Sequence, residues 1–209
     1  LDMDYLISSC SSLLDLNMDN WDFSSKTSNN GKLSNVFYGG KTITKLSMEH
    51  AVFPQNMSFA FSELRDLEFL YLEDADTSNT TTMERAFHFY YDNSNKELEL
   101  DLTSFDTSKV TNMAYMFYNN KGLKSVDVSS FDTSKVTDMT QMFYLCSKLQ
   151  ELDISNFKTN SLASDGMTRS PYLRCHKPRA VRILALLPAI LEEQDHLYAS
   201  AYHARGEIR

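Results

Sequence analysis

The chain of 209 residues is 42% hydrophobic and 23% charged, the balance of a folded protein able to bury a sizeable core. Its net charge of −8 is uneven: residues 1–160 carry 13 Lys+Arg against 23 Asp+Glu, while residues 161–209 carry 7 against 5. An acidic body excludes nucleic acid as a partner, since phosphate binding needs a basic footprint. The longest apolar run, Val181–Leu191, is broken by Arg182 and Pro188 and is too short to span a membrane.

Taken in order, the chain is a series of units that repeat one apolar pattern. The clearest pair runs from Leu100 to Tyr118 and, 26 residues later, from Val126 to Tyr144; a third copy opens at Leu152-Asp153-Ile154-Ser155-Asn156-Phe157 and fades. Self-similarity at such a period marks a stacked-repeat protein. With Met113, Met116, Phe117, Leu123, Val126, Val128 and Phe131 as template, the first unit reads Met3, Leu6, Ile7, Leu13, Leu16, Met18 and Trp21. The second is Leu33, Val36, Phe37, Ile43, Leu46, Met48 and Ala51, and the third Met57, Ala60, Phe61, Leu67, Leu70, Leu72 and Ala75. The fourth opens with Met83, Ala86 and Phe87, carries four extra residues within 89–96, and continues with Glu97, Leu100, Leu102 and Phe105. The sixth is Met139, Met142, Phe143, Leu149, Leu152, Ile154 and Phe157, so that Glu97 alone is polar where the pattern wants an apolar residue. Leu1 falls inside a repeat, the start expected of a piece of a longer chain.

Each unit alternates two periods. Leu149-Gln150-Glu151-Leu152-Asp153-Ile154 ends with strand alternation. Val110, Met113, Met116 and Phe117 share one face of a short helix. Between strand and helix lies Asp-Thr-Ser (76–78, 106–108, 132–134), whose oxygens accept backbone N–H bonds in turns and helix caps. The expected fold is an α/β repeat solenoid over residues 1–160: about six coils, each a short parallel strand, a polar turn and a short helix. No coil buries its apolar face alone, whereas stacked neighbours do.

The run Leu-x-x-Leu-Asp-Leu-Ser-x-Phe-Asp-Thr-Ser-Lys-Val-Thr-x-Met-x-x-Met-Phe-Tyr resembles the BspA-type leucine-rich repeats of bacterial surface proteins, mycoplasma lipoproteins among them, and of some protists. The likeness is specific over residues 97–158 and degenerate but in register over 1–96. It implies a right-handed leucine-rich-repeat-like stack, non-enzymatic, displayed at the cell surface or secreted, and adhering to proteins of a host or of neighbouring cells. Asp22-Phe23-Ser24 and Lys158-Thr159-Asn160 depart from Asp-Thr-Ser in their turns. An intracellular protein-interaction scaffold of the same fold is the alternative.

Beyond Asn160 the pattern stops. Residues 161–209 hold three of the four prolines, with Ala180–Leu187 and Ala189–Tyr202 as short helices split by Pro188. A cap on the open end, a linker and sequence foreign to the domain are the three readings, with a loosely packed tail favoured.

No chemical site stands out. The Met and Phe column is core packing rather than a soft-metal box, and the five histidines form no H-E-x-x-H or comparable pair. An enzymatic site would have to fall among His176, Glu192, Glu193, His196 and His203. Cys10 and Cys146 occupy equivalent turn positions as small filler, and with Cys175 they show no metal spacing. No cofactor or metal is expected.

The site-like feature is the outward strand position between the two apolar slots. It is read as Asp15 or, by strict register, Asn17, then Ser47, Glu73, Asp101, Asp127 and Asp153, with the last four about 4.8 Å apart. A neighbouring row of Tyr71, Glu99, Ser125 and Glu151 adds two acids. Like charges so placed repel by about 1 kcal/mol per pair in water. The expected partner-binding face is therefore Glu73, Glu99, Asp101, Asp127, Glu151 and Asp153, taking a basic protein segment or a divalent cation. A hydrated strip that keeps the edge soluble is the bland alternative.

Overall fold

The structure, a computed structural model, describes residues 3–8, 10–25, 33–89, 96–150, 152–158 and 161–162. Glu151, Cys175, His176, Glu192, Glu193, His196, His203 and both expected tail helices lie outside these residues.

Five short strands carry the strand half of successive units: β1 Asp15–Asn17, β2 Lys45–Ser47, β3 Phe69–Tyr71, β4 Leu98–Asp101 and β5 Leu123–Asp127. All pairing is parallel, in a sheet of order β1-β2-β3 and a pair β4-β5. Equivalent residues face each other: Leu16, Leu46 and Leu70 in the first sheet, Leu100 and Val126 in the second. Pairing continues away from the strands as single-residue parallel bridges, through Asp22, Val52 and Asp76 and through Asn56, Thr82, Asn112 and Asp138.

The polar slot at Glu97 is resolved by a register shift. Leu98, one residue later, pairs with Leu123 and is fully buried, while Glu97 is exposed. The irregularity between Leu98 and Glu99 absorbs the extra residue, so Glu99 meets Ser125 and the remaining pairs return to register.

The expected short helices are not what the described residues form. Apart from one 3₁₀ turn, Leu33–Asn35, the segments opened by Met57, Met83, Met113 and Met139 are turns. Each closes with an N–H bond back to the Met carbonyl three residues earlier, as from Ala60 to Met57 and from Met116 to Met113. The second residue after each Met has positive φ: Phe59 at 59°, Arg85 at 54°, Tyr115 at 58° and Gln141 at 49°. That is the left-handed third position of a tight turn, costing a non-glycine residue about 1–2 kcal/mol. A helix cannot continue through it. The compensation is lateral: the N–H groups of Met57, Phe59 and Phe61 donate to the carbonyls of Thr82, Glu84 and Ala86, one unit on. Met83, Arg85 and Phe87 repeat this onto Asn112, Ala114 and Met116, at 2.8–3.0 Å.

The core is a set of files through the paired units. Met57, Met83 and Met113 are fully buried and Met139 nearly so. Phe37, Phe61, Phe87, Phe117 and Phe143 form a column, with adjacent rings stacked at centroid distances of 5.9, 5.1, 5.3 and 5.0 Å. On the surface beside them the Arg85 guanidinium lies 4.4 Å from the Tyr115 ring and 5.3 Å from that of Phe59.

The Thr of Asp-Thr-Ser is a buried cross-tie. Thr77, Thr107 and Thr133 are almost fully buried, and each hydroxyl donates to a backbone carbonyl of the next unit, at Asp106, Asp132 and Lys158. The N–H groups of Asp132 and Lys158 donate back to the Thr107 and Thr133 hydroxyls. In the first two units Phe23 and Phe53 fill the same position and the backbone makes the bond itself, Phe23 N–H to Val52 O and Phe53 N–H to Asp76 O. Thr107→Val, which keeps the shape and removes both bonds, is expected to cost about 1–3 kcal/mol in urea unfolding. Thr111→Val, at an exposed site, should stay within about 0.5 kcal/mol.

Candidate binding face

Strand alternation turns two rows of side chains outward on each sheet. Asp15, Lys45 and Phe69 share one register row, and Asn17, Ser47 and Tyr71 the next. In the second sheet the corresponding pairs are Glu99 with Ser125 and Asp101 with Asp127.

This register corrects the expected acidic file. Ser47 pairs with Tyr71, so Glu73 lies two residues further along and does not continue the file of Asp101 and Asp127. Tyr71 moves into that file, and Phe69 takes the place expected for Tyr71 in the neighbouring row. Asn17, not Asp15, is the first member. Glu151 lies outside the described residues. Tyr71, between the apolar Leu70 and Leu72, occupies the outward position of the third unit, and Glu73 follows it by two residues.

The remaining acids are engaged locally. Asp101 Oδ1 accepts both the N–H and the hydroxyl of Thr103, at 3.0 and 2.6 Å. Asp127 and Asp153 accept the N–H of Ser129 and Ser155, each at 2.9 Å. These are Asx turns; those of Asp101 and Asp127 end β4 and β5, whereas the strand expected around Asp153 is not formed among the described residues, and Asn17 makes the same bond to the Asp19 N–H. Glu99 meets Lys124 at 2.9 Å, and Glu97 lies 3.7 Å from Lys124 and 3.9 Å from Lys148. Among the described residues no three His, Cys, Asp or Glu side chains are grouped to hold a metal ion. Cys146 is buried, its thiol donating to the Phe117 carbonyl, whereas Cys10 is exposed and fills no gap.

The first sheet presents a different surface. Phe69 and Tyr71 are 52% and 40% exposed on the outward side of β3. The Lys45 ammonium lies 5.4 Å from the Tyr71 ring centre. Lys45 and Tyr71 border an open groove of about 420 Å³, lined also by Asp15, Asn17, Ser47 and Glu49. Asp19 sits in it as a fixed acceptor, holding the Ser47 hydroxyl at 2.5 Å, the Glu49 N–H at 2.9 Å and the Asn17 amide at 2.7 Å. The Ser47 hydroxyl is the main reason its carboxyl is held below the usual range.

The units thus define a repeat protein with parallel, in-register pairing and an outward face that is aromatic at one end and acid–lysine at the other. The family described as "Mycoplasma protein of unknown function, DUF285" matches residues 55–169, and the chain belongs to it. No curated protein and no solved structure matches the chain. No helix among the described residues is long and apolar enough to cross a membrane.

Two pH windows follow from the turns. Burial, and then the Arg85 cation, lower the His88 pKa from 6.5 to about 4, with the Tyr118 ring edge-on at 5.2 Å. The unfolded chain takes that proton first, so acidification from pH 6.5 to 4 weakens the fold. Asp101, Asp106 and Asp132 have pKa values lowered from 3.8 by the hydroxyl and N–H of Thr103 and by the N–H groups of Ser108 and Ser134. Their contribution is complete above pH 3.8 and is lost as pH falls through the lower folded values. In thermal melts against pH, His88→Gln should flatten the upper window and the triple variant D101N/D106N/D132N the lower one.

Proposed function

We propose that the chain is a non-enzymatic protein-binding module of the BspA-type leucine-rich-repeat kind, a right-handed solenoid displayed at the cell surface and adhering to proteins of a host or a neighbouring cell. Fold likeness alone does not assign function; the reading rests on the outward face of the first sheet. Phe69 and Tyr71 stand exposed on the same side of β3, Tyr71 lining the groove. Large rings on a rigid strand lose little entropy on contact and are the residue type that anchors protein interfaces. The acids of the second sheet are the weaker part of that face, because Asp101, Asp127 and Asp153 are bonded to their own turns and Glu99 to Lys124.

The whole chain, passed over immobilised matrix proteins and intact cells, is expected to bind at least one surface saturably. Phe69→Ser with Tyr71→Ser should weaken that binding at least tenfold, about 1.4 kcal/mol, without lowering the melting temperature. Asp101→Asn with Asp127→Asn should change it less than twofold. Absence of binding, or binding indifferent to the two rings, would overturn the reading.

A further inference from the structure

Charge is balanced differently on the two sheets. On the second, the Lys124 ammonium stands 2.9 Å from Glu99 and 3.7 Å from Glu97, and Asp101 and Asp127 are bonded within their turns. The groove of the first sheet is lined by three carboxylates, Asp15, Asp19 and Glu49, and by one cation, Lys45. That ammonium lies over the Tyr71 ring and is ion-paired with none of the three. Three negative charges against one positive leave the groove with an excess of two.

The acids differ in how they are held. A carboxylate has about four lone-pair sites, and Asp19 uses three of them, for the Ser47 hydroxyl, the Glu49 N–H and the Asn17 amide. Those neutral donors fix its place and leave its charge uncompensated. Among the described residues the side chains of Asp15 and Glu49 make neither hydrogen bond nor ion pair. A concave site lined by one sign of charge focuses the field and draws in the opposite sign. The aromatic wall narrows the choice of cation. A guanidinium is flat, weakly hydrated, stacks on rings and forks onto carboxylates, whereas an ammonium is compact and strongly hydrated.

We propose, on the protein-binding reading of this face, that the groove receives an arginine side chain of the partner. Its guanidinium lies among the carboxylates of Asp15, Asp19 and Glu49 beside the Tyr71 ring, and an apolar neighbour of that arginine covers Phe69. Lys45 is the like charge that this guest displaces from the ring.

The probe is the capped peptide Leu-Arg-Leu, titrated into the isotope-labelled whole chain, with lysine or the uncharged isostere citrulline replacing arginine. The backbone amide signals of Lys45, Ser47, Glu49 and Tyr71 should shift saturably, with affinity falling from arginine to lysine to citrulline. Asp15→Asn with Glu49→Gln should weaken the arginine peptide about tenfold without changing the melting temperature. Lys45→Met should tighten it, and Asp101→Asn with Asp127→Asn should leave it unchanged. A lysine or citrulline peptide that binds as well as the arginine one, shifts centred on the second sheet, or no saturable shift at all overturns the assignment, even in a chain that adheres to cells through Phe69 and Tyr71. Titration of the groove in the expected order by a chain that binds no matrix protein and no cell supports the assignment and removes the adhesive reading alone.

Discussion

The structure depends on one interaction, the backbone hydrogen bond passed sideways from a residue in one unit to its counterpart in the next. A helix satisfies its own N–H and C=O groups; these units do not. Met57, Phe59 and Phe61 donate to the following unit, and so do Met83, Arg85 and Phe87. A unit alone would leave these groups to water and its apolar file uncovered. Stability is therefore a property of neighbours, and register is enforced residue by residue. The same constraint explains why length varies only in the connectors and why the irregularity at Leu98 is confined to one step before Leu100 regains its partner Val126. It also makes tolerable a turn whose third residue is Phe, Arg, Tyr or Gln at positive φ, since that residue's own N–H is among the lateral donors, as with Phe59, Arg85 and Tyr115.

Once register is fixed, side chains divide by what the ladder asks of them. Thr107 and Thr133 extend the backbone network with a hydroxyl where the first units use Phe23 and Phe53 and bond main chain to main chain. Asp101 and Asp127 fasten the turn after the strand, and Asp153 fastens the equivalent turn of the last unit. These acids answer to the fold, which is why a column of carboxylates stands where like charges repel. Each charge-assisted bond to a turn N–H holds its carboxylate against that weak, screened repulsion. Phe69 and Tyr71 take no part in such turns and stand exposed on the outward side of β3.

Much of this was legible in the sequence, because the apolar template is a direct statement of what faces inward. The Met and Phe files, the strand positions of the first five units and the Asp-Thr-Ser turns follow from spacing alone, whereas the strand expected at Leu149–Ile154 is not formed among the described residues. The turns at Met57, Met83, Met113 and Met139 were not legible. Apolar residues at i, i+3 and i+4 lie together on a helix face, and they lie together equally well when a tight turn folds the chain back between them. Glycine, the usual sign of positive φ, stands at none of Phe59, Arg85, Tyr115 or Gln141. The candidate face was half legible. Acid-rich rows declare themselves, but the aromatic pair emerges only when register is carried strictly into the third unit, and the bonds of Asp101 to Thr103 appear only in three dimensions.

The two sheets show how one ladder can carry unlike surfaces. Outward rows are spaced by the backbone and are indifferent to side-chain type, so the Asp15–Lys45–Phe69 row and the Glu99–Ser125 row rest on the same hydrogen bonds. Changing what the face presents therefore costs the fold little, provided the inward files and the turn acceptors stay.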